Sequence, residues 1–203
     1  MIKNVIFDIG NVLVTFDPYN YYKGIFHDDE KTKEICHSVF GHEAWLKYDQ
    51  GILFLEDLYR IYHEQYPQYK EEIDIILKDW MKLMKPLPSS YACMRKLKQK
   101  GYHMYLLSNI SQDSADYLKD TQPFFSYSDG AVLSYEEKIL KPDRHLYEIL
   151  LERYQLKAEE CLFLDDHPIN IETAKSLGMH GIVVKDPWHM EEAIREYLEN
   201  VVC

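Results

Sequence analysis

Cysteine is scarce in this chain of 203 residues, and this limits the classes of protein to which the chain can belong. It occurs four times, at Cys36, Cys93, Cys161 and Cys203. The gaps between these positions do not match the ligand spacing of a structural zinc site. Scattered cysteines in a chain of this length are typical of reduced thiols, so we expect a cytoplasmic protein without disulfides.

Long apolar runs and an excess of basic residues are also missing. No segment approaches the roughly 20 apolar residues of a membrane-spanning helix, and Asp8 interrupts the first apolar run, so we expect neither a membrane span nor a signal peptide. Lys and Arg number 23 against 34 Asp and Glu, which gives a formal net charge of −11. This acidity argues against nucleic acid or an anionic membrane surface as the main partner, although a local site could still bind phosphate.

Two strand-like apolar runs each end in acidic residues. Residues 5–7 lead into Asp8, and residues 161–164 lead into Asp165 and Asp166. A buried charge is costly unless it is paired or bound to a metal, and the carboxyl ends of parallel strands are where α/β folds bind ligands. Three carboxylates without a His or Cys ligand favour Mg²⁺. The alternative is that these aspartates cap the helices that follow them.

Residues 85–203 alternate strand-like and helix-like patterns. Strands are predicted at 104–107, 131–133, 161–164 and 182–184. Alternating strands and helices imply right-handed crossovers and a mostly parallel sheet covered on both faces. The predicted fold class is therefore α/β, with a doubly wound, Rossmann-like sheet. Helices are predicted to begin at Ser89 or Ser90, at Ser111, at Pro142, near Pro168 and near Trp188, the last of them reaching Glu199.

Residues 16–84 follow a different pattern. Apolar and aromatic residues recur at helical spacing over 54–62 and 73–84, and no strand is evident. We therefore predict an α-helical insert at 16–84, with residues 1–15 and 85–203 forming the α/β core. Because the insert leaves the sheet just after Asp8, it would lie over the ligand-binding edge as a cap, although an ordinary packed helical subdomain fits the same pattern.

Four groups of polar residues fall at successive strand ends in this reading. They are Asp8, Ser108 with Asn109, Lys141, and Asp165 with Asp166. Their order and spacing, together with the helical insert, resemble the haloacid dehalogenase-like (HAD) superfamily of hydrolases, in the subfamily that carries a helical cap after the first motif. Asn170 fits a D-D-x-x-x-N form of the last motif.

The resemblance implies a phosphatase whose nucleophile is Asp8. In the family this position takes the phosphoryl group as an aspartyl phosphate, and Mg²⁺ is the cofactor. The expected metal ligands are Asp8, the main-chain oxygen of Gly10, Asp165 and Asp166, and the expected phosphate-binding residues are Ser108, Asn109 and Lys141. The expected partner is a small phosphorylated metabolite, and the expected state is a monomer or weak homodimer.

Gly10 departs from the family pattern, because the family usually has a second Asp there that serves as general acid and base. Such help is worth about 10²–10⁴-fold in rate. Three consequences stay open: a substrate with a good leaving group, such as a sugar 1-phosphate; a substitute such as Asp17 or Asn11; or a weak catalyst kept for binding a phosphorylated ligand. The start of this chain resembles bacterial members of the glucose-1-phosphatase type, which favours the sugar 1-phosphate.

Two of the motif residues also have simpler interpretations, and one other reaction is open. Ser108 could be an ordinary helix cap, and Lys141 could be a solvated surface lysine. Within the same superfamily, a carbon–halogen hydrolase would use Asp8 without a metal, which would leave Asp165 and Asp166 without a role.

Overall fold

The computed structural model describes residues 1–195 and 197–198, and its centre is a five-stranded sheet with the strand order β3-β2-β1-β4-β5. Every strand pairing in the sheet is parallel. This confirms the predicted α/β fold class with a parallel sheet. The strands are β1 (Asn4–Phe7), β2 (His103–Ser108), β3 (Gly130–Leu133), β4 (Cys161–Asp165) and β5 (His180–Val183).

Helices cover both faces of the sheet, because the strands alternate their apolar side chains between two cores. Val5 and Phe7 point into one buried cluster, and Ile6 points into the other. The helices that follow the insert are α6 (Pro88–Gln99), α7 (Gln112–Thr121), α8 (Phe124–Tyr127), α9 (Ser134–Glu137), α10 (Arg144–Arg153), α11 (Pro168–Ser176) and α12 (Met190–Ile194).

Five α-helices lie between β1 and α6, as the helical periodicity of this segment predicts. They are α1 (Pro18–Phe26), α2 (Asp29–Phe40), α3 (Glu43–Asp49), α4 (Leu55–Gln65) and α5 (Lys70–Asp79), with 3-10 helices at Pro67–Tyr69 and Trp80–Leu83. Their buried side chains, such as Tyr22, Ile35 and Trp80, join the same apolar cluster as Val5 and Phe7.

The chain enters and leaves this helical segment side by side. Val14 forms an antiparallel bridge with Pro86, and the Thr15 N–H donates to the Lys85 carbonyl at 2.8 Å. The Thr15 hydroxyl donates to the Leu83 carbonyl at 2.6 Å. These bonds bring the two ends of the segment together close to the carboxyl end of β1.

Several predicted boundaries are wrong. Helix α6 begins at Pro88 rather than at Ser89 or Ser90, and Pro88 occupies its first turn, where the missing N–H of proline costs nothing. The helix predicted from Pro142 begins at Arg144, because the Asp143 side chain accepts from the His145 N–H at 2.9 Å and caps it.

The end of the chain also differs from the prediction. Strand β5 ends at Val183, one residue before the predicted end. The last predicted helix is a 3-10 helix at Pro187–His189 followed by α12, and its predicted end at Glu199 lies outside the described residues. The short helices α8 and α9 were not predicted.

The sequence predicted reduced cysteines and no membrane-spanning helix, and both expectations can be compared with the described residues. Cys36, Cys93 and Cys161 are buried free thiols, and Cys203 lies outside the described part of the chain. Across residues 1–195 and 197–198, no helix is both long enough and apolar enough to cross a membrane.

Candidate active site

The polar residues singled out in the sequence meet at the carboxyl edge of the sheet. Asp8 follows β1, Ser108 ends β2 and Asp165 ends β4, and these three strands are neighbours in the sheet. The prediction that Lys141 lies at a strand end is wrong, because α9 follows β3; Lys141 reaches the same edge from the connection between α9 and α10. Because parallel strands end at one edge, residues far apart in sequence come together there.

Lys141 links two of the carboxylates in a buried ion-pair network. Its Nζ lies 2.9 Å from Asp8 Oδ1 and 2.6 Å from Asp165 Oδ2, and the side chains of Lys141 and Asp165 are 1% and 0% exposed. Nζ also donates to the Leu107 carbonyl at 3.0 Å. The interpretation of Lys141 as a solvated surface residue is therefore wrong.

Burial and charge act in opposite directions on this network. Burial raises the pKa of Asp8 to about 6; Lys141 opposes the rise, and Asp165 adds to it. Burial by itself would lower the pKa of Lys141, but the attraction of Asp8 and Asp165 outweighs it, and the pKa is raised. Lys141 therefore keeps its positive charge beside Asp8, as its place between two carboxylates requires.

Asp165 and Asp166 differ in how fully their oxygens are occupied. Asp165 Oδ1 accepts from the His167 N–H at 2.8 Å, and Asn170 Nδ2 lies 2.9 and 3.0 Å from its two oxygens, in addition to the bond from Lys141. Asp166 accepts from Asn11 Nδ2 at 3.0 Å and lines an open cavity.

One oxygen from each of Asp8, Asp165 and Asp166 lies within 4.8 Å of the other two. Carboxylate oxygens at this spacing suit a hard divalent cation such as Mg²⁺.

Helix α11 starts after His167 without a side-chain cap bond, so the interpretation of Asp165 and Asp166 as helix caps is wrong.

Ser108 and Asn109 lie beside the carboxylates in different roles. Ser108 is 1% exposed, and its hydroxyl interacts with Asp8 and lowers the pKa of that carboxyl. Helix α7 is capped by Ser111, so Ser108 is not the helix cap. Asn109 accepts from the Lys141 N–H at 2.7 Å and donates to the Lys141 carbonyl at 3.0 Å. Its side chain therefore holds the backbone that carries Lys141.

Gly10 lines the same cavity, and the position could accommodate a larger side chain. A Cβ built on Gly10 would meet no atom within 4 Å, and its φ lies outside the left-handed region. The backbone therefore does not require glycine here.

The two substitutes for the missing acid that the sequence suggested are placed unfavourably. Asp17 is exposed and caps α1, where it accepts from the Asn20 N–H at 3.1 Å, and it is not part of the cavity wall. Asn11 lines the cavity, but its amide is bonded to Asp166 and to the Phe16 N–H at 2.8 Å. Neither side chain is free to exchange a proton with a bound substrate.

The cavity above the carboxylates has a volume of about 360 Å³ and two chemically different walls. The sheet side carries Asp8, Ser108, Lys141 and Asp166. The side chains that residues 16–84 contribute are apolar or aromatic, with a single carboxylate among them. They are Phe16, Phe40, Trp45, Leu46, Asp49, Trp80 and Met84.

Asp49 was not singled out in the sequence. It is the last residue of α3 and is half-buried, and its carboxyl lies near the Ser111 backbone and the Trp45 side chain. Burial raises its pKa to about 7, although the Ser111 N–H and the Trp45 side chain oppose the rise. The one signal in the sequence is its place at the C-terminus of a helix, where the helix dipole disfavours a negative charge.

The fold and the site define a class of hydrolase, and comparison with known families agrees. Residues 2–178 match the family profile described as "Hydrolase: haloacid dehalogenase-like hydrolase". This match covers most of the chain, so the protein belongs to the haloacid dehalogenase-like hydrolases. The predicted superfamily is confirmed.

Three similar proteins illustrate the range of this family. A sesquiterpene phosphatase of Aspergillus oryzae is 26% identical over 184 residues, covering 91% of this chain and 90% of the relative. A D-ribitol-5-phosphate phosphatase of Bacteroides thetaiotaomicron is 26% identical over 198 residues, covering 88% and 89%. A crystal structure of a HAD family enzyme from Bacteroides thetaiotaomicron, with magnesium and inorganic phosphate, has a TM-score of 0.70 at 23% identity and covers 94% and 99%.

Proposed function

We propose that the protein is a Mg²⁺-dependent phosphatase that hydrolyses a small phosphate monoester through an aspartyl phosphate on Asp8. The observation that carries the proposal is the buried contact of Asp8 with Lys141, beside two further carboxylates, at the floor of an open cavity. The names of two relatives, one a sesquiterpene phosphatase and the other a ribitol-5-phosphate phosphatase, support the same reaction class.

Each residue on the floor has a role in this proposal. Asp8 attacks phosphorus, and the positive charge of Lys141 draws the phosphate toward a site that is otherwise acidic. Ser108 lies beside Asp8, where its hydroxyl can bind a phosphate oxygen. Asn109, predicted as a phosphate-binding residue, holds the Lys141 backbone and so acts through Lys141.

The carboxylates fit the cation that the family implies. Asp8, Asp166 and the main-chain oxygen of Gly10 would hold Mg²⁺, which offsets the repulsion between the carboxylate and the phosphate. Among the acidic pair, we assign Asp166 as the direct ligand, because it lines the cavity. Both oxygens of Asp165 already accept bonds from Lys141, Asn170 and His167, so Asp165 positions Lys141 instead.

The division of the chain into core and cap is part of the same proposal. We propose residues 1–15 and 85–203 as the catalytic core and residues 16–84 as the cap. The isolated bridge between Val14 and Pro86 supports this division, because the insert both leaves and returns at that point. The shared cavity wall supports it as well, since the insert supplies one side and the sheet edge the other.

The proposal also concerns which alcohol the substrate carries as its leaving group. Gly10 and the ribitol-5-phosphate phosphatase favour a sugar phosphate, and an anomeric phosphate would depart with least help from an acid. The apolar cap wall and the sesquiterpene phosphatase favour an apolar alcohol, because aromatic walls provide few partners for sugar hydroxyls. We favour the apolar alcohol, since an unpaired buried hydroxyl costs about 1–3 kcal/mol.

The direct test is an assay with 4-nitrophenyl phosphate before and after exhaustive dialysis against EDTA. We expect hydrolysis that is lost on dialysis and restored by added Mg²⁺. A parallel assay measures halide release from 2-chloropropionate without metal, which is the reaction of the dehalogenase alternative. Halide release together with full retention of any activity in EDTA would overturn the proposal, and so would inactivity in every assay.

A further inference from the structure

The position of the leaving group during the reaction defines where its proton must come from. Phosphoryl transfer places the attacking and leaving oxygens roughly in line across phosphorus. Asp8 attacks from the floor of the cavity, so the leaving oxygen departs on the opposite side, toward residues 16–84. Because position 10 is glycine and supplies no acid from the sheet side, a general acid for this oxygen would have to reach the cavity from the cap wall.

Asp49 is the titratable side chain that the cap wall presents to the described cavity. The other cavity residues contributed by 16–84 are Phe16, Phe40, Trp45, Leu46, Trp80 and Met84, and none of them can exchange a proton near neutral pH. On the sheet side, Asp8 and Lys141 form an ion pair, and Asp166 is the proposed Mg²⁺ ligand and accepts from Asn11. His167 also lines the cavity, but it directly follows Asp166 on the floor.

Asp49 is held firmly against the floor of the site. Ser134 Oγ donates to the Asp49 carbonyl at 2.6 Å, and the same oxygen accepts from the Ile110 N–H at 2.8 Å, two residues after Ser108. Through Ser134, these two bonds connect the Asp49 backbone to the loop that follows β2. A general acid needs such fixed placement, because proton transfer requires hydrogen-bond distance to the substrate.

We propose that Asp49 is the catalytic acid and base that replaces the aspartate missing at Gly10. In the first step, Asp8 forms a bond to phosphorus, the ester P–O bond breaks, and Asp49 gives its proton to the leaving alkoxide. In the second step, water attacks phosphorus, gives a proton to the Asp49 carboxylate, and releases phosphate and the free Asp8 carboxylate. This proposal rests on the phosphatase function proposed above.

The environment of Asp49 suits both halves of this cycle. Its pKa of about 7 follows from burial, and a general acid–base group works best when its pKa lies near the working pH. Its titratable neighbours are Tyr48 and Tyr62, whose own pKa values are raised, and Asp113, which is bonded to the Tyr48 hydroxyl. The tyrosines therefore stay neutral while Asp49 titrates.

The test compares two leaving groups in Asp49→Asn, with His167→Gln as the matched control on the same cavity. Nitrophenolate leaves without a proton, whereas the alkoxide of n-hexyl phosphate or glucose 6-phosphate needs one. We use kcat/KM because it covers only the steps up to loss of the alcohol. The alkyl ester used is whichever of n-hexyl phosphate and glucose 6-phosphate the unaltered protein hydrolyses faster. For this ester, Asp49→Asn should lower kcat/KM about 100-fold, whereas kcat/KM for 4-nitrophenyl phosphate should change by less than about threefold.

Two further readouts separate proton transfer from a structural role. In the unaltered protein, kcat/KM for the alkyl phosphate should fall as pH rises through about 7, because the acid form of Asp49 is lost. This descending limb of the pH profile should be absent in Asp49→Asn. Adding Gly10→Asp to Asp49→Asn should restore alkyl phosphate turnover at least about tenfold. If Asp49→Asn folds poorly, Asp49→Glu keeps a carboxyl and should retain the limb at a shifted pH.

Three results would overturn the role of Asp49. They are an equal loss on both esters in Asp49→Asn, no loss on the alkyl phosphate, and the same selective loss in His167→Gln. If the unaltered protein hydrolysed neither ester, the phosphatase proposal itself would fail, which is distinct from a failure confined to Asp49.

Discussion

The two walls of the cavity are built on different physical principles. On the sheet side, Asp8, Lys141 and Asp165 are buried and joined by short ion pairs. On the cap side, aromatic and aliphatic side chains pack by shape, and Leu46 is 51% exposed at the cavity. The first arrangement suits fixed charges aimed at phosphorus, and the second suits selection of the leaving group.

The largest loss of activity is expected when the sheet side of the cavity, where Asp8 lies, is altered. Asp8→Asn keeps the shape of the side chain but cannot form the aspartyl phosphate, so we expect turnover to fall on the order of 10⁴-fold or more. The measurement is steady-state hydrolysis of 4-nitrophenyl phosphate. Asp17→Asn is the control, because Asp17 is exposed and asparagine also caps helices well. Activity of Asp8→Asn within tenfold of the unaltered protein would rule out the nucleophile.

Alteration of the cap wall should change selectivity instead. Leu46→Ser removes apolar contact at the cavity, so kcat/KM for n-hexyl phosphate should fall about tenfold, with little change for glucose 1-phosphate. Ile52→Ser is the matched control, since Ile52 is 52% exposed and is not part of the cavity wall. A clear preference of the unaltered protein for glucose 1-phosphate over n-hexyl phosphate would favour the sugar phosphate predicted from the sequence.

The smallest effect is expected from Gly10→Asp, which adds a carboxyl group on the sheet side of the cavity. Gly10→Asp places a second carboxyl where an added Cβ meets no atom within 4 Å, so the fold should tolerate it. We expect glucose 6-phosphate to gain severalfold in kcat/KM and the gap to glucose 1-phosphate to narrow, because the poorer leaving group benefits more from an acid. A paired kinetic comparison of the two sugar phosphates measures this. An unchanged ratio would mean that the new carboxyl does not reach the leaving oxygen.

The sequence predicted the boundaries of strands and helices well where a single local signal was present, and poorly where two residues could each begin the same helix. An apolar run followed by Asp marked β1 and β4: Asp8 directly follows β1, and Asp165 is the last residue of β4. At the start of α6, the serines competed with Pro88, and proline at the first turn prevailed. At the start of α10, Pro142 suggested the first turn, but the Asp143 side chain caps the helix one residue later.

The sequence by itself determined the parallel α/β fold, the helical segment between β1 and α6, and the position of Asp8 and Asp165 at strand ends. Strand-end position follows from order along the chain, and parallel strands bring those ends to one edge. Only the tertiary structure decided that Lys141 lies buried between Asp8 and Asp165. It also decided that Asp49 faces the same cavity from the cap wall. These contacts join residues more than 20 positions apart, and no local pattern encodes how a helix packs over a sheet edge.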